Sequence, residues 1–421
     1  MSPFVSARRS IAPADLAMAA PAVVYVALFA AVGAWYPYQS VLLASRGLDF
    51  AAIGLLLALS AVVGLVAAPV WGAVADRMGV IHRPLLVASV VAAAGAAWLA
   101  FATDVASIAG ALSLMAVGAA GLIPLTDTRT VELAGASRER YARARAFGSA
   151  AFVGGAVVTG VLVSGRSPDA LFVLYVPLLL VTGLASWRLL APGPVVAGRP
   201  ERRARPRFSV AGFLRLLGRP GLLALLVGTT LIWTAVAAVM TFIGIRVAQL
   251  GGDLAIIGLI SSGSAIVEVP IMIAFPALAR RFGVGRLVVL GAAAFGLRAA
   301  LWGLAPSPAV ALLVSPLGGI AFGFFYVGIV TFVARAIPAE AQATAQSVYS
   351  GMTFSLGSVV GTVLAGGLAP ILGLPGLFLA SAAATFAGTA VVARGVSVAG
   401  RSSAPAAPPA VPVPLVATEA R

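Results

Sequence analysis

The sequence contains no cysteine, no lysine and no asparagine, and His82 is its single histidine. The lack of cysteine excludes disulfides and thiolate metal sites. Charged residues are also scarce, at 10% of 421 residues, whereas 61% are hydrophobic and the mean hydropathy is +1.06. A soluble domain of this length does not need so much apolar surface, so the composition predicts a protein whose solvent is lipid.

Apolar windows of about 20 residues recur along the whole chain, and each is long enough to cross about 30 Å of hydrocarbon. They predict an all-α membrane protein with twelve transmembrane helices. The spans cover approximately residues 18–44, 51–74, 84–103, 105–129, 144–165, 169–190, 220–246, 254–278, 286–305, 309–334, 344–366 and 374–394.

An internal repeat divides these spans into two six-helix halves. Ile53-Gly54-Leu55 recurs as Ile257-Gly258-Leu259, and 257 minus 53 is 204. The segment 76–80 recurs as 280–284 at the same offset. Two related halves in a membrane protein are typical of a transporter whose site lies between them.

The predicted organisation of the chain has five parts, two of which are the six-helix halves. They are a cytoplasmic N-terminus (1–17), an N-terminal six-helix half (18–190), a basic cytoplasmic linker (191–219), a C-terminal six-helix half (220–394) and a disordered tail rich in Pro and Ala (395–421). The linker interrupts the apolar pattern with seven arginines, and we expect it to be a solvated loop beside anionic headgroups or, alternatively, a specific anionic-lipid site.

The net charge of +15 would suit a nucleic-acid partner in a soluble protein, but the placement of the arginines argues against one. Under the twelve-helix prediction, 24 of the 28 basic residues fall at one side of the membrane. Three (Arg46, Arg166 and Arg246) fall at the other side, and Arg298 lies inside a span. By the positive-inside rule we expect a multi-pass protein of a bacterial plasma (inner) membrane with both termini cytoplasmic.

The segment Gly72-Ala-Val-Ala-Asp76-Arg77-Met-Gly79, between the second and third spans, resembles the signature loop of the major facilitator superfamily. Its counterpart in the second half keeps Arg281 and Gly283 but has Arg280 where the first half has Asp76. The resemblance covers about residues 18–394. It implies the twelve-helix facilitator fold and a conformational role for Gly72, Asp76, Arg77, Gly79, Arg281 and Gly283.

Within that superfamily the chain resembles the branch of the phenylpropionate transporter, the nucleoside:proton symporters and lactose permease. The residues that carry this resemblance are Tyr36-Pro37-Tyr38, Ser45-Arg46-Gly47-Leu48, Pro124-Leu125-Thr126-Asp127, the segment 141–149, Glu268-Val269-Pro270, Arg298 and Ala343-Thr344-Ala345-Gln346. The Gly-Pro-x-x-Gly-Gly element of the drug:proton antiporters is missing from residues 148–165, so this branch is favoured over an exporter.

Glu268 and Arg298 are predicted to lie at the same depth. Glu268 precedes Arg281 by 13 residues and Arg298 follows Arg286 by 12, which places both about 18–20 Å from the basic side. An ionisable group at that depth is a functional candidate by default. We expect Glu268 to take a proton or a polar group of the substrate, and Arg298 to tune it or to bind an anion. The alternative is a permanent structural ion pair.

Asp127 and Arg145 are predicted to form a second pair, nearer the basic side. The resemblance to lactose permease implies a substrate-binding role for both residues, and a structural clamp or gate is the alternative. The tenth span has no His, Asp or Glu, although lactose permease carries a His and a Glu there, so proton coupling would depend on Glu268 or Asp127. Tyr326 is the most polar large residue of that span.

Tyr36, Gln39, Trp233 and Tyr326 are predicted to line the substrate cavity, where they would contact an aromatic or polyhydroxylated ligand. Interfacial anchoring is the alternative for Tyr36.

These observations predict a monomeric secondary transporter that takes up a small organic solute (a sugar, a nucleoside or an aromatic acid) together with protons, by alternating access. Proton-coupled efflux and a non-transporting ligand sensor are the alternatives. An enzyme is not expected, because the sequence shows no nucleophile and base set, no metal-ligand cluster and no nucleotide-binding loop, and no cofactor is implied.

Overall fold

The computed structural model describes residues 18–135, 137–191, 218, 221–336, 349 and 351–402. The predictions for residues 1–17, for most of the linker, for Ala343–Gln346 and for the tail beyond residue 402 lie outside these ranges. Helices account for nearly all of the described chain, and they confirm the predicted all-α membrane fold.

The first six membrane helices are α1 (Ala19–Trp35, continuing as Gln39–Ser45), α2 (Phe50–Met78), α3 (His82–Phe101), α4 (Val105–Ala134), α5 (Arg138–Val163) and α6 (Phe172–Leu189). The next four are α7 (Leu222–Gln249), α8 (Leu254–Phe282), α9 (Val284–Leu304) and α10 (Pro308–Val314, continuing as Pro316–Ala336). A π-helical turn (Gly351–Leu356) then leads into the stretch Gly357–Ser402, which Gly373 (φ 66°) divides into α11 (357–372) and α12 (374–402). Eleven continuous stretches of the described residues are long and apolar enough to span a membrane, and because the last contains this break, there are twelve spans.

Several helices run beyond the ends of their apolar windows. α2 ends at Met78 and α4 at Ala134, although the windows end at residues 74 and 129. α5 begins at Arg138, within a charged segment, and the last helix continues to Ser402 past the predicted boundary at residue 394. Backbone hydrogen bonds extend a helix into the headgroup region, where charged side chains are solvated, so hydropathy alone places the ends too early.

Equivalent N-caps open equivalent helices in the two halves. The side chain of Asp49 accepts a hydrogen bond from the Ala52 amide (2.7 Å), and that of Asp253, 204 residues later, accepts one from the Ile256 amide (3.0 Å). Each of these N-caps satisfies an amide that the first helical turn leaves without a partner. The sequence repeat is therefore also a repeat of local structure.

The helices pack most extensively within each half, and the halves meet through α2 against α11, α5 against α8 and α1 against α7. We call the end of the bundle at which α2 and α8 finish, at Met78 and Phe282, the arginine-rich face. The end at which α1 and α7 finish, at Ser45 and Gln249, is the opposite face.

The halves are joined at the opposite face by backbones in close contact. A Cβ added to Gly54 on α2 would lie 2.8 Å from the carbonyl oxygen of Thr362 on α11. A Cβ added to Gly258 on α8 would lie 2.5 Å from the carbonyl oxygen of Ala156 on α5. Only glycine allows helices to approach this closely, so these two contacts depend on the absence of a side chain.

Candidate substrate and proton site

A polar cluster lies on the N-terminal half, where α1, α4 and α5 come together. The hydroxyl of Tyr25 on α1 donates a 2.5 Å hydrogen bond to the carboxylate of Asp127 on α4. Tyr25 is completely buried, whereas Asp127 is half-buried. Tyr141 on α5 interacts with both through its hydroxyl. Asp127 is thus anchored on one side and accessible on the other.

Arg145 joins this cluster through aromatic rings and not through an ion pair. Its guanidinium lies 4.0 Å from the ring centroid of Phe29 and 5.5 Å from that of Tyr25. No ion pair within 4.0 Å connects it to Asp127 among the described side chains. Tyr25 therefore contacts both predicted partners, and cation–π attraction, worth about 0.5–2 kcal/mol, holds the arginine.

Glu268 on α8 is half-buried and makes no hydrogen bond or ion pair with another described residue. Its electrostatic neighbour is Arg145, which belongs to the other half of the protein. α10 packs closely against the backbone of α8 at this residue: a Cβ added to Gly319 would lie 2.6 Å from the Glu268 amide nitrogen. Within the described ranges, no three His, Asp or Glu side chains are placed to hold a metal ion.

Arg298 on α9 is only 5% exposed and does not pair with Glu268. One terminal nitrogen lies 3.2 Å from the sulfur of Met240 on α7, and the guanidinium lies 4.2 Å from the ring centroid of Trp302. The other terminal nitrogen lies against Gly318 on α10. Equal depth fixes the position of a residue along a helix but not the direction of its side chain, which is why the predicted pair does not form here.

Tyr36 brings the N-terminal half close to Arg298. It lies at the break in α1 before Pro37, is 51% exposed, and is electrostatically coupled to Arg298. A small cavity also borders Arg298 inside the C-terminal half, and Glu268 is not part of its lining. That lining consists of Ala235, Val236, Val239, Met240, Phe295, Arg298, Ala299 and Thr385.

Gln39, the remaining polar candidate on α1, is half-buried, and its side chain makes no hydrogen bond with another described residue. Its neighbour Tyr38 points elsewhere: the Tyr38 hydroxyl donates a 2.5 Å hydrogen bond to the carbonyl of Ala156 on α5. Tyr38 thus helps to hold the opposite face together.

Trp233 and Tyr326 belong to one group of aromatic residues in the C-terminal half. We call Trp233, Phe322, Tyr326 and Phe354 the aromatic quartet. Successive ring centroids lie 6.2 Å apart from Trp233 to Phe322, 4.9 Å from Phe322 to Tyr326, 5.3 Å from Tyr326 to Phe354 and 4.6 Å from Phe354 back to Trp233. The structure brings the two predicted residues together and adds Phe322 and Phe354, which hydrophobic patterning did not distinguish from core residues.

The loop-motif residues lie at the arginine-rich face, away from these clusters. Gly79 (φ 65°) and Gly283 (φ 83°) both have positive φ angles, which favour glycine in both copies of the turn. A Cβ on Gly72 would meet nothing within 4 Å. Asp76 and Arg77 are exposed, and the Arg281 guanidinium lies 5.3 Å from the ring centroid of Phe282.

Comparison with known proteins decides the family. A family model described as the MFS_1 like family matches residues 20–379, which is most of the chain. The chain belongs to the MFS_1-like family of major facilitator transporters. It is therefore a multi-pass membrane transporter and not an enzyme.

Other transporters share its sequence or its fold. This MFS_1-like protein is 29% identical over 343 residues to a maltose permease of Geobacillus stearothermophilus. The aligned region covers 81% of this chain and 85% of the permease. The nucleoside transporter NupG superposes with a TM-score of 0.73 at 17% identity, over 89% of this chain and 98% of its own. A bacterial homologue of the human lysosomal transporter Spinster superposes with a TM-score of 0.69 at 15% identity, over 92% and 98%.

Proposed function

We propose that this protein takes up a small organic solute together with protons, by alternating access across a bacterial plasma membrane. One observation carries the proposal: the half-buried carboxylate of Glu268 has no hydrogen bond within the described structure, and its electrostatic neighbour, Arg145, is on the other half. A carboxylate placed in this way is free to bind a proton, and its charge acts between the two bodies that must move.

The orientation follows from the distribution of arginine. If the arginine-rich face is cytoplasmic, the halves are closed on the outside and the polar residues are reached from the cytoplasm. Both termini are then cytoplasmic. Half-exposed side chains at Tyr36 and Asp127, together with the glycine contacts at the opposite face, support this arrangement.

Coupling follows from the charge on Glu268. When ionised, Glu268 attracts Arg145 and favours the arrangement that holds them close. A proton removes that attraction, so the halves separate more easily at this depth and the proton moves with the solute. Asp127 stays bound to Tyr25 throughout and, with Arg145, contacts polar groups of the solute.

The solute is a sugar, a nucleoside or an aromatic acid, carried by a monomer. The sequence similarity to a maltose permease supports a sugar, and the structural similarity to a nucleoside transporter supports a nucleoside. The aromatic quartet and the hydroxyl of Tyr141 suit a molecule with both flat and polar surfaces.

Uptake into proteoliposomes tests the proposal. We expect radiolabelled maltose, uridine or 3-phenylpropionate to accumulate above equilibrium when the lumen is alkaline, and only to equilibrate when an ionophore removes the pH gradient. A sensor would bind one of these solutes without accumulation. An exporter would accumulate it only under the reversed gradient in this orientation. Either result would refute the proposed direction and mechanism.

A further inference from the structure

A π-helical turn, Gly351–Leu356, leads into α11 and carries Phe354. A π-helical turn holds one residue more than an α-helical turn, so it changes the direction of the side chains that precede the regular helix. Such turns are rare and occur often at functional sites. Here the turn places the Phe354 ring 4.6 Å from that of Trp233, in an edge-to-face arrangement.

A single hydroxyl connects Phe354 with Trp233. Ser358 on α11 accepts a 2.9 Å hydrogen bond from the indole nitrogen of Trp233 and donates one of 2.5 Å to the carbonyl oxygen of Phe354. The orientation of the indole is thus tied to the geometry of the π-helical turn. Three helices, α7, α10 and α11, contribute to the quartet, and Ser358 fixes two of them relative to each other.

The quartet forms the inner layer of a two-layer aromatic wall. Its four members are half-buried, whereas Phe295 and Phe325, which pack behind, are buried. Trp233 contacts rings from α9, α10 and α11, so helices of its own half surround it. Because α7 and α11 also pack against α1 and α2 of the other half, the surface that these rings leave exposed can face the space between the halves.

Glu268 lies beside this wall. Gly319 and Gly323 on α10 pack against α8 at Glu268. Phe322 and Tyr326 each follow one of these glycines by three residues, so they lie next to them on the surface of α10. A ligand on the quartet would then lie beside the segment of α8 that carries the Glu268 carboxylate, a group able to accept hydrogen bonds from hydroxyl groups.

We propose that the aromatic quartet binds the apolar face of a neutral, ring-shaped solute, and that Phe354 and Ser358 determine specificity for the ring. The proposal rests on the transport function proposed above. A pyranose or a nucleobase offers a flat face of C–H groups or π electrons to the rings, together with hydroxyls for Glu268. A linear polyol of similar polarity lacks the flat face. An aromatic acid has the ring, but Glu268 repels its carboxylate.

Substitution of Phe354 tests the wall. For whichever of maltose and uridine the wild-type protein exchanges in counterflow, we expect Phe354→Leu to raise the Kd at least about ten-fold, measured by quenching of tryptophan fluorescence. Phe354→Tyr keeps the ring and should bind within about two-fold of the wild type. Phe386→Leu is the matched control, because Phe386 lies on α12 in the same half and packs against Gly296 outside the quartet.

Substitution of Ser358 tests the positioning role. We expect Ser358→Ala to shift the tryptophan emission spectrum and to weaken ring binding, because the indole loses its acceptor. Ser358→Thr keeps a hydroxyl and should restore both properties. A purely structural role would lower the thermal stability without changing the emission spectrum or the preference for a ring.

The outcomes separate this inference from the transport function. If counterflow of maltose or uridine occurs but Phe354→Leu binds that solute as tightly as Phe386→Leu does, the wall is not the ring site, while the transport function stands. If the wild-type protein exchanges 3-phenylpropionate or mannitol in preference to both ring solutes, the assignment of a neutral ring is wrong. If no solute is exchanged, the proposed function fails, and the specificity assignment fails with it.

Discussion

At the scale of single residues, the charges within the bundle are held by neighbours other than an opposite charge. An isolated ionisable group at mid-membrane costs at least about 2.5–3.5 kcal/mol, so each needs compensation. Arg298 has Trp302 and the Met240 sulfur, Asp127 has the Tyr25 hydroxyl, and Arg145 has aromatic rings. Glu268 is the exception, since no hydrogen bond to a described group offsets its charge.

Glu268→Gln is the corresponding test of coupling. Glutamine keeps the size but cannot exchange a proton, so we expect loss of at least about 90% of pH-driven accumulation while counterflow of the same solute continues. Uptake and counterflow in proteoliposomes measure the two separately. Glu139→Gln is the control, because Glu139 is an exposed surface residue paired with Arg143. Unaltered uphill uptake by Glu268→Gln would exclude the coupling role.

At the scale of helices, the opposite face is closed by backbone contact and by side-chain hydrogen bonds between the halves. Gly258 permits α8 to touch α5, and the hydroxyl of Ser164 at the end of α5 donates a 2.7 Å hydrogen bond to Asp253 at the start of α8. Both contacts must break before this face can open, so both influence the conformational equilibrium.

Gly258→Val should shift that equilibrium towards an open opposite face. The added side chain overlaps the Ala156 carbonyl, and overpacking of about 1–3 kcal/mol corresponds to a population change of roughly ten-fold or more. Because the chain lacks cysteine, Gln39→Cys provides a unique site whose reaction with an impermeant maleimide reports the opening. Gly154→Val is the control, since a Cβ there meets nothing within 4 Å. Equal labelling rates in both variants would contradict the prediction.

The Ser164 bond should make closure depend on pH at the opposite face. Hydrogen bonds from the Ser164 hydroxyl and the Ile256 amide lower the pKa of Asp253 below its usual range. A lowered pKa means that the ionised carboxylate stabilises the closed state. This stabilisation is complete above the ordinary carboxyl pKa and is lost as the pH falls through the lowered value.

Maleimide-labelled Gln39→Cys protein can be compared across pH by fluorescence of the attached probe. We expect Ser164→Ala to open the face more readily at neutral pH and to reduce the change in acid. Asp49→Asn is the matched control, because Asp49 caps α2 as Asp253 caps α8 but bonds no described residue of the other half. A pH response that is the same in Ser164→Ala and in the wild type would show that the hydrogen bond between Ser164 and Asp253 does not control closure of this face.

At the scale of the whole molecule, two similar six-helix bodies are closed at one face and carry the motif loops at the other. Asp76 and Gly79 end α2, and their counterparts Arg280 and Gly283 end α8. Both loops place a glycine with positive φ at the end of the helix, but they differ in the ψ angle of that glycine and in charge. Such an arrangement affects the movement of the bodies more than the affinity of a site between them.

Asp76→Ala should therefore slow transport and leave binding largely intact. We expect initial uptake rates to fall at least about five-fold, while the Kd of the solute changes by less than about two-fold. Asp104→Ala is the control, since Asp104 is an exposed helix cap of the same half at the opposite face. A loss of affinity without a loss of maximal rate would argue against a conformational role.

Much of this architecture was predictable from the amino-acid sequence. Membrane location, twelve spans and two halves follow from composition, run length and the 204-residue offset, because each is a property of order along the chain. The turn glycines at positions 79 and 283 were also predictable, since their requirement is local to the backbone.

Packing between helices decided the rest. Whether Glu268 meets Arg298 or Arg145 depends on the rotation of α8, α9 and α5 about their own axes, which depth along the chain does not specify. The π-helical turn at Phe354, which packs against α7, has no marker in the hydropathy pattern. Charges and aromatic rings acquire their partners only when separate segments meet, and so the candidate site became visible in the folded protein.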